Sequence, residues 1–287
     1  MKETLHPFDD TDRSALATFR AAVQANSAPM TRASYDLQLE RIPDAPGVSY
    51  ASGSLGGVKG TWCTLAGARA GTTILYLHGG AFVLGSAHAY RHFVGQIAAR
   101  SGVSAFVVDY RLAPEHPFPA ASEDAHAALS ALRGSEVVIA GDSAGGGLAL
   151  TLLVESNNAR AGVVLSPWTD LALGGDSIET RAREDFLLSR VVLAEAARQY
   201  LNHHDPRDSR VSPLFAASNR LPPLLMQVGS AEILLDDARQ FAAIHPTASL
   251  EVWEGMPHVF QRNVGTLCTA RAALDGIGRF LKEAIVA

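Results

Sequence analysis

The sequence predicts an α/β protein, with one mostly parallel central sheet, helices on both faces, and a single domain over residues 1–287. Two observations carry this. Short apolar, β-prone runs recur at 73–77, 103–108, 137–140, 162–166, 224–228 and 250–253, and helical patterns without repeats or long linkers separate them. That alternation is the pattern of parallel strands joined by crossover helices. Composition agrees, since 287 residues with 47% hydrophobic and 18% charged side chains allow one sizeable core.

The N-terminal stretch Met1-Lys2-Glu3-Thr4-Leu5-His6-Pro7 lacks the apolar centre and small-residue cleavage site of a signal peptide. No run approaches the ~18 uninterrupted apolar residues of a membrane span. A formal net charge of -5 without a Lys/Arg run argues against nucleic acid as a partner. A cytoplasmic location is the expectation. Cys63 and Cys268 have no His or Cys neighbours at metal-ligand spacing, and both are expected to be buried free thiols of a reducing compartment.

Residues 11–26 place Leu16, Phe19 and Val23 at helical spacing, with acidic residues in front where they favour the helix dipole. This helix either packs on the core or covers a site. Residues 48–65 read as irregular edge strands interrupted by Gly53, Gly56, Gly57 and Gly60. The run at 73–77 is continuously apolar, as in a strand buried on both faces, and exits into His78-Gly79-Gly80-Ala81-Phe82. Adjacent glycines there leave backbone N–H groups unshielded by side chains. A helix at 90–100 and the strand at 103–108 follow. The prolines Pro114, Pro117 and Pro119 then impose an extended loop. The charges of Asp109, Arg111 and Glu115 are expected to pair with one another and with loop backbone. Pro119, Glu123 and Asp124 suit the first turn of the next helix.

Val137-Val138-Ile139-Ala140 runs straight into Gly141-Asp142-Ser143-Ala144-Gly145, and Leu148, Leu150, Leu152 and Leu153 follow in a helical stretch. Strand, tight turn, helix is the setting in which the serine of Gly-x-Ser-x-Gly is exposed as a nucleophile. Gly141 and Gly145 permit close approach of strand and helix. The new helix directs its free N–H groups at whatever Ser143 attacks. With Ser143 in that role, Gly79 and Gly80, joined by the N–H of Ala144, form the expected oxyanion hole.

Residues 171–210 read as an inserted helical segment, with a helix at 189–201. With the N-terminal segment of about 1–45 it is expected to roof the site as a cap. His203 and His204 stand at its polar exit, but sequence neighbours rarely converge on one ion, and no metal is expected. A nucleophilic serine needs a base, and the base needs a carboxylate to hold its tautomer. His258, in the turn after the last strand set by Gly255 and Pro257, is the candidate base. In the loop after the preceding strand Glu232 is first in line for the carboxylate and Asp236 second. Asp236 and Asp237 also suit the start of the following helix. A last helix is expected at about 267–284. In an open parallel sheet the ligand site lies beyond the carboxyl ends of the strands. His78, Ser143, Glu232 and His258 all fall just past strand ends.

His78-Gly79-Gly80, Asp109-Tyr110-Arg111-Leu112-Ala113-Pro114-Glu115, Gly141-Asp142-Ser143-Ala144-Gly145-Gly146, Ser166-Pro167-Trp168 and His258 together resemble, in order, the motifs of the hormone-sensitive lipase-like family of α/β-hydrolases, bacterial esterase branch. The likeness runs from about residue 73 to the C-terminus, and the N-terminal segment matches only as a helical cap. It implies the α/β-hydrolase fold with a small cap, and cofactor-free hydrolysis of short- to medium-chain carboxylic esters through an acyl-serine. By the same likeness Ser143 is the nucleophile, His258 the base, and Gly79, Gly80 and Ala144 the oxyanion-hole region. Two positions depart from the pattern. Ala81 stands where the family usually has a third glycine, and Glu232 where its acid is usually Asp. The implied partner is a small-molecule ester, with neither nucleic acid nor membrane; a homodimer, a lactone substrate and acyl transfer stay open. Plant hormone receptors resembling this family lack the catalytic histidine, so the presence of His258 sets a non-catalytic receptor aside.

Overall fold

In a computed structural model, residues 2–26, 28–155, 159–216 and 221–286 are described. Their strands are β1 (Lys2–His6), β2 (Val48–Leu55), β3 (Val58–Leu65), β4 (Thr72–Leu77), β5 (Ala105–Val108), β6 (Glu136–Asp142), β7 (Ala159–Leu165), β8 (Leu224–Gly229) and β9 (Ala248–Trp253). The α-helices are α1 (Arg13–Ala25), α2 (Arg32–Leu39), α3 (Ala87–Ser101), α4 (Ala120–Ser130), α5 (Ser143–Glu155), α6 (Ser177–Thr180), α7 (Arg190–Leu201), α8 (Leu235–Ile244) and α9 (Cys268–Val286). The strands form one sheet in the order β1-β9-β8-β7-β6-β4-β5-β3-β2. All neighbouring pairs are parallel except the two made by β3, which runs against β5 and β2. Every central element expected from the sequence is present, and the fold is that of an α/β-hydrolase.

Strand alternation divides the core in two. Leu75, Leu77, Ile139 and Val164 face one layer with residues of α4, α5, α7 and α8. Ile74, Tyr76, Val138 and Val163 face the other, with residues of α3 and α9. Helix α5 has no solvent side: from Ser143 to Leu153 every residue is buried. That follows from its place beneath the middle of the sheet, and it explains why its sequence is apolar and small all round rather than amphipathic.

Several expectations are corrected. Residues 2–6 join the sheet instead of the cap: β1 pairs in parallel with β9, from Lys2 opposite Ser249 to His6 opposite Trp253. Lys2, Glu3, Thr4 and Leu5 are exposed, so no burial pattern marks a strand, and the pairing is supplied by the free backbone edge of β9. Helix α2 was not expected. Its start is a reciprocal cap between Thr31 and Ser34, with Ser in place of the usual Glu or Gln. Asp12 does not serve its own helix. Its carboxylate accepts from the N–H groups of Cys268 (2.7 Å) and Thr269 (2.8 Å), capping α9 and binding the two ends of the chain together. Cys63 is buried, but Cys268 is exposed on the first turn of α9. Asp109, Arg111 and Glu115 do not pair with one another. Asp109 accepts from Ala87 N–H, Arg111 binds Asp124 and Glu123, and Glu115 binds Arg32. Each charge finds a partner on a neighbouring element because the extended loop holds the three apart.

Candidate active site

The site is built where β6 becomes α5. Asp142 ends the strand and Ser143 begins the helix with no residue between. So abrupt a reversal requires a positive backbone angle, and Ser143 has φ 54°, a conformation that disfavours L side chains. The turn closes because position 145 is glycine: a Cβ there would overlap the backbone of Leu77 and His78. Ser143 carbonyl oxygen accepts from Trp168 N–H at 3.0 Å, which ties the turn to the loop after β7.

The loops after β8 and β9 converge on this serine. His258 Nε2 lies 2.9 Å from Ser143 Oγ, and His258 Nδ1 lies 2.6 Å from Glu232 Oε2. With the carboxylate on Nδ1, that nitrogen carries the proton and Nε2 is left to accept from the hydroxyl. Glu232 is fully buried, and its second oxygen accepts from Ser166 hydroxyl (2.7 Å) and Gly229 N–H (2.7 Å). Ser166 Oγ in turn accepts from Val259 N–H at 3.0 Å. One hydroxyl therefore fastens the carboxylate and the residue following the imidazole. Asp236 is elsewhere: its carboxylate accepts from Ser177 N–H at 2.8 Å, joining α8 to α6. Asp237 accepts from Thr169 and Asp170 N–H groups, and burial pushes its carboxyl up to about 7.

Sequence reasoning did not single out two residues of this neighbourhood. Ser166 stood only inside the Ser166-Pro167-Trp168 motif, with nothing to say what its hydroxyl held. Asp185 accepts from the N–H groups of Leu187 (2.9 Å), Leu188 (2.8 Å) and Ile233 (2.9 Å), tying the inserted segment to the residue after Glu232. Burial raises its carboxyl above the ordinary value. The bonds of Asp185 to Leu187 and Leu188 are an ordinary local turn. The partners that tie each residue to the site, Glu232 and Val259 for Ser166 and Ile233 for Asp185, lie far along the chain and leave no local signal.

The glycine loop after β4 differs from expectation at one position. Gly79 N–H is already committed to Asp142 Oδ1 at 2.9 Å. Of the three expected donors, Gly79 is therefore not free. Among the described residues no acceptor pairs with Gly80 or Ala81 N–H. Ala144, second in α5, has no intrahelical acceptor to use, and the positive end of the helix dipole points at the same place. Ala81 (φ 55°) and Phe82 (φ 64°) both adopt left-handed conformations. Phe82 is buried and stacks on Tyr200 of α7, ring centroids 3.8 Å apart.

The N-terminal and inserted segments touch beside these loops. Phe19 meets Phe186 edge-on at 5.4 Å, and Arg20 donates to Arg183 carbonyl. A cavity of about 340 Å³ lies between them, lined by Phe8, Leu16, Arg20, Phe186, Ala231 and Gly255. His204 Nε2 lies 2.8 Å from Asp208, and no group of residues suited to a metal ion occurs among the described residues. No described helix is long and apolar enough to cross a membrane.

The geometry has counterparts among known proteins. A profile of the α/β hydrolase fold family matches residues 74–262. An acetyl-hydrolase of Streptomyces hygroscopicus is 41% identical over 228 residues, 75% of this chain and 76% of its own. An esterase of Acinetobacter venetianus is 37% identical over 280 residues, 92% of each chain. Among solved structures, an esterase from the bacterial hormone-sensitive lipase family superposes with a TM-score of 0.91 at 36% identity, over 97% of this chain and 99% of the other. These likenesses span the sheet, the serine turn and the loops that meet it, and the chain belongs to the bacterial hormone-sensitive lipase-like family of α/β-hydrolases.

Proposed function

We propose that the protein is a serine carboxylesterase acting on short- to medium-chain carboxylic esters through an acyl-serine. The observation that carries the reading is the unbroken hydrogen-bonded line from Ser143 through His258 to Glu232. His258 Nε2 takes the hydroxyl proton as Ser143 Oγ attacks the ester carbonyl, and Glu232 stabilises the imidazolium. The oxygen that becomes negative is received by the N–H groups of Gly80, Ala81 and Ala144; Gly79 supports the loop instead of donating. Such donors gain their strength by being fixed before the charge develops. The imidazolium then protonates the leaving alcohol, and a water molecule repeats the sequence on the acyl-enzyme. All of this uses side chains and backbone alone, with no cofactor. Helices α1 and α2 and residues 171–210 serve as the cap that shapes the acyl and alcohol pockets. The acetyl-hydrolase relative supports the short end of the acyl range.

The test is a chromogenic ester series from acetate to laurate, with wild type and Ser143→Ala side by side. We expect short acyl esters to be cleaved, and Ser143→Ala, still folded by circular dichroism, to lose about 10⁶-fold in kcat. Adding alcohol acceptors to the same reaction separates hydrolysis from acyl transfer by product ratio. A folded wild type that cleaves no ester in the series would overturn the reading.

A further inference from the structure

Asp142 occupies the variable position before the serine in Gly-x-Ser-x-Gly, and it is 0% exposed. Its Oδ1 accepts from Gly79 N–H (2.9 Å) and Tyr76 hydroxyl (2.9 Å), and its Oδ2 from Tyr90 hydroxyl (3.0 Å). A carboxylate withdrawn from water requires donors of this kind. The direction of the remaining hydrogen bonds follows from that start. Tyr90 spends its proton on Asp142, so its oxygen accepts from Tyr35 hydroxyl at 2.9 Å. Tyr35 in turn accepts from Arg262 Nη1 at 2.7 Å. Every donor points the same way, from a guanidinium to a carboxylate, an arrangement in which each bond polarises the next. Burial, reinforced by the charge of Asp142, holds the phenols of Tyr76 and Tyr90 well above the ordinary 10.0, so they stay protonated as donors.

The members come from separate parts of the fold: Tyr76 from β4, Tyr90 from α3, Tyr35 from α2, and Arg262 from four residues past His258. They converge on Asp142 and through it on Gly79, in the loop whose next two N–H groups have no acceptor among the described residues. A Cβ on Gly79 would overlap the Asp142 carboxylate, so the contact depends on glycine at that position.

We propose that Asp142 is the positioning residue of the oxyanion loop, holding Gly79 so that Gly80 and Ala81 N–H groups are aimed, and that the Arg262–Tyr35–Tyr90 chain fixes Asp142 and so couples the docking of α2 to that aim. The proposal rests on ester hydrolysis at Ser143. Asp142 acts only through Gly79 and does not touch the substrate. Because oxyanion donors act in the transition state, loosening them lowers kcat and leaves KM in place.

The experiment uses the full chain and compares Asp142→Ala, Tyr35→Phe, Arg262→Met and Arg262→Lys. It reads kcat and KM on a p-nitrophenyl acetate substrate, the affinity for an aryl trifluoromethyl ketone, and Tm. The ketone forms a hemiketal with the serine, whose oxyanion occupies the hole. Asp142→Ala is expected to lower kcat and ketone affinity together by about a hundredfold with KM unchanged. Tyr35→Phe, which keeps the ring and removes one oxygen, is expected to lower both by about fivefold. Arg262→Lys recovers part of what Arg262→Met loses. A fall in Tm with kcat and ketone affinity unmoved would assign the network to stability alone and overturn the proposal. If Asp142→Ala does not fold, unchanged kcat in Tyr35→Phe overturns it by itself. Labelling of Ser143 in the wild type by a fluorophosphonate separates the two levels: without labelling it is the serine reading that fails, not the positioning one.

Discussion

The two arms of the site, the turn that carries Ser143 and the paired loops that carry Glu232 and His258, are held by different forces. The serine arm is fixed by backbone. Its strand and helix abut without a spacer, its φ is positive, and a single methyl group at Gly145 would collide with the backbone of Leu77 and His78. The acid–base arm adds side chains to its backbone contacts, which are the close approach of Gly229 to Met256 and the bond from Ala231 N–H to Met256 carbonyl. Ser166 hydroxyl bridges Glu232 and Val259, and Asp185 collects N–H groups from the inserted segment and from Ile233. A sterically fixed arm tolerates almost no change at its glycines and asks only backbone atoms of its neighbours. An arm that also relies on side-chain hydrogen bonds depends on polar atoms contributed from a distance. The first kind is written as a local motif, and the second is not.

Glu232→Gln is the largest test of the acid–base arm. It keeps the shape and the bonds to Ser166 and Gly229 while removing the charge that, in the proposed mechanism, stabilises the imidazolium, and kcat is expected to fall about 10³–10⁴-fold. Asp236→Asn, altered at a residue that binds Ser177, leaves kcat unchanged in the same assay. Equal losses in the two variants would merge the roles that the structure separates.

Ser166→Ala asks whether one hydroxyl matters to both loops. Glu232 keeps the Gly229 bond, so kcat is expected to fall by about tenfold, and a lowered Tm should accompany it because Val259 N–H loses its acceptor. An unchanged rate would return the acid–base arm to backbone control.

Asp237 offers a pH test of the loop after β7. Burial moves its carboxyl from the ordinary 3.8 up to about 7, so between those values the folded protein holds a proton that the unfolded chain has released. Its contribution is fully present below the ordinary Asp value and is lost as pH rises through the folded one. Asp237→Asn retains an acceptor for Thr169 and Asp170 N–H and cannot titrate. The decline in Tm between pH 4 and 7, measured against wild type, should therefore be shallower in the variant.

Ala81→Gly is the smallest expected effect. Relief of a left-handed alanine gains about 1 kcal/mol, and the greater freedom of glycine in the unfolded chain offsets part of it. A net stabilisation of ~0.5 kcal/mol is expected, read as a higher urea midpoint at constant slope. A lower midpoint would mean that the Ala81 methyl group packs against something it needs.

By itself, the sequence determined the parallel sheet, the serine turn, the glycine loop and the order of serine, acid and base. Each of these is a local pattern: an apolar run, a glycine where two backbones meet, or a polar residue just past a strand end. The tertiary structure alone decided the strand at residues 2–6, the capping of α9 by Asp12 and the exposure of Cys268. The order of preference between Glu232 and Asp236 was already legible from their places after β8, and the structure sets Glu232 against His258. It also decided that Gly79 spends its N–H on Asp142, which moves the free donors one residue along, to Gly80 and Ala81. These outcomes depend on contacts between residues dozens to hundreds of positions apart. Which of several equivalent polar atoms meets a given donor is set by how the layers pack around the sheet, and local sequence carries no record of that.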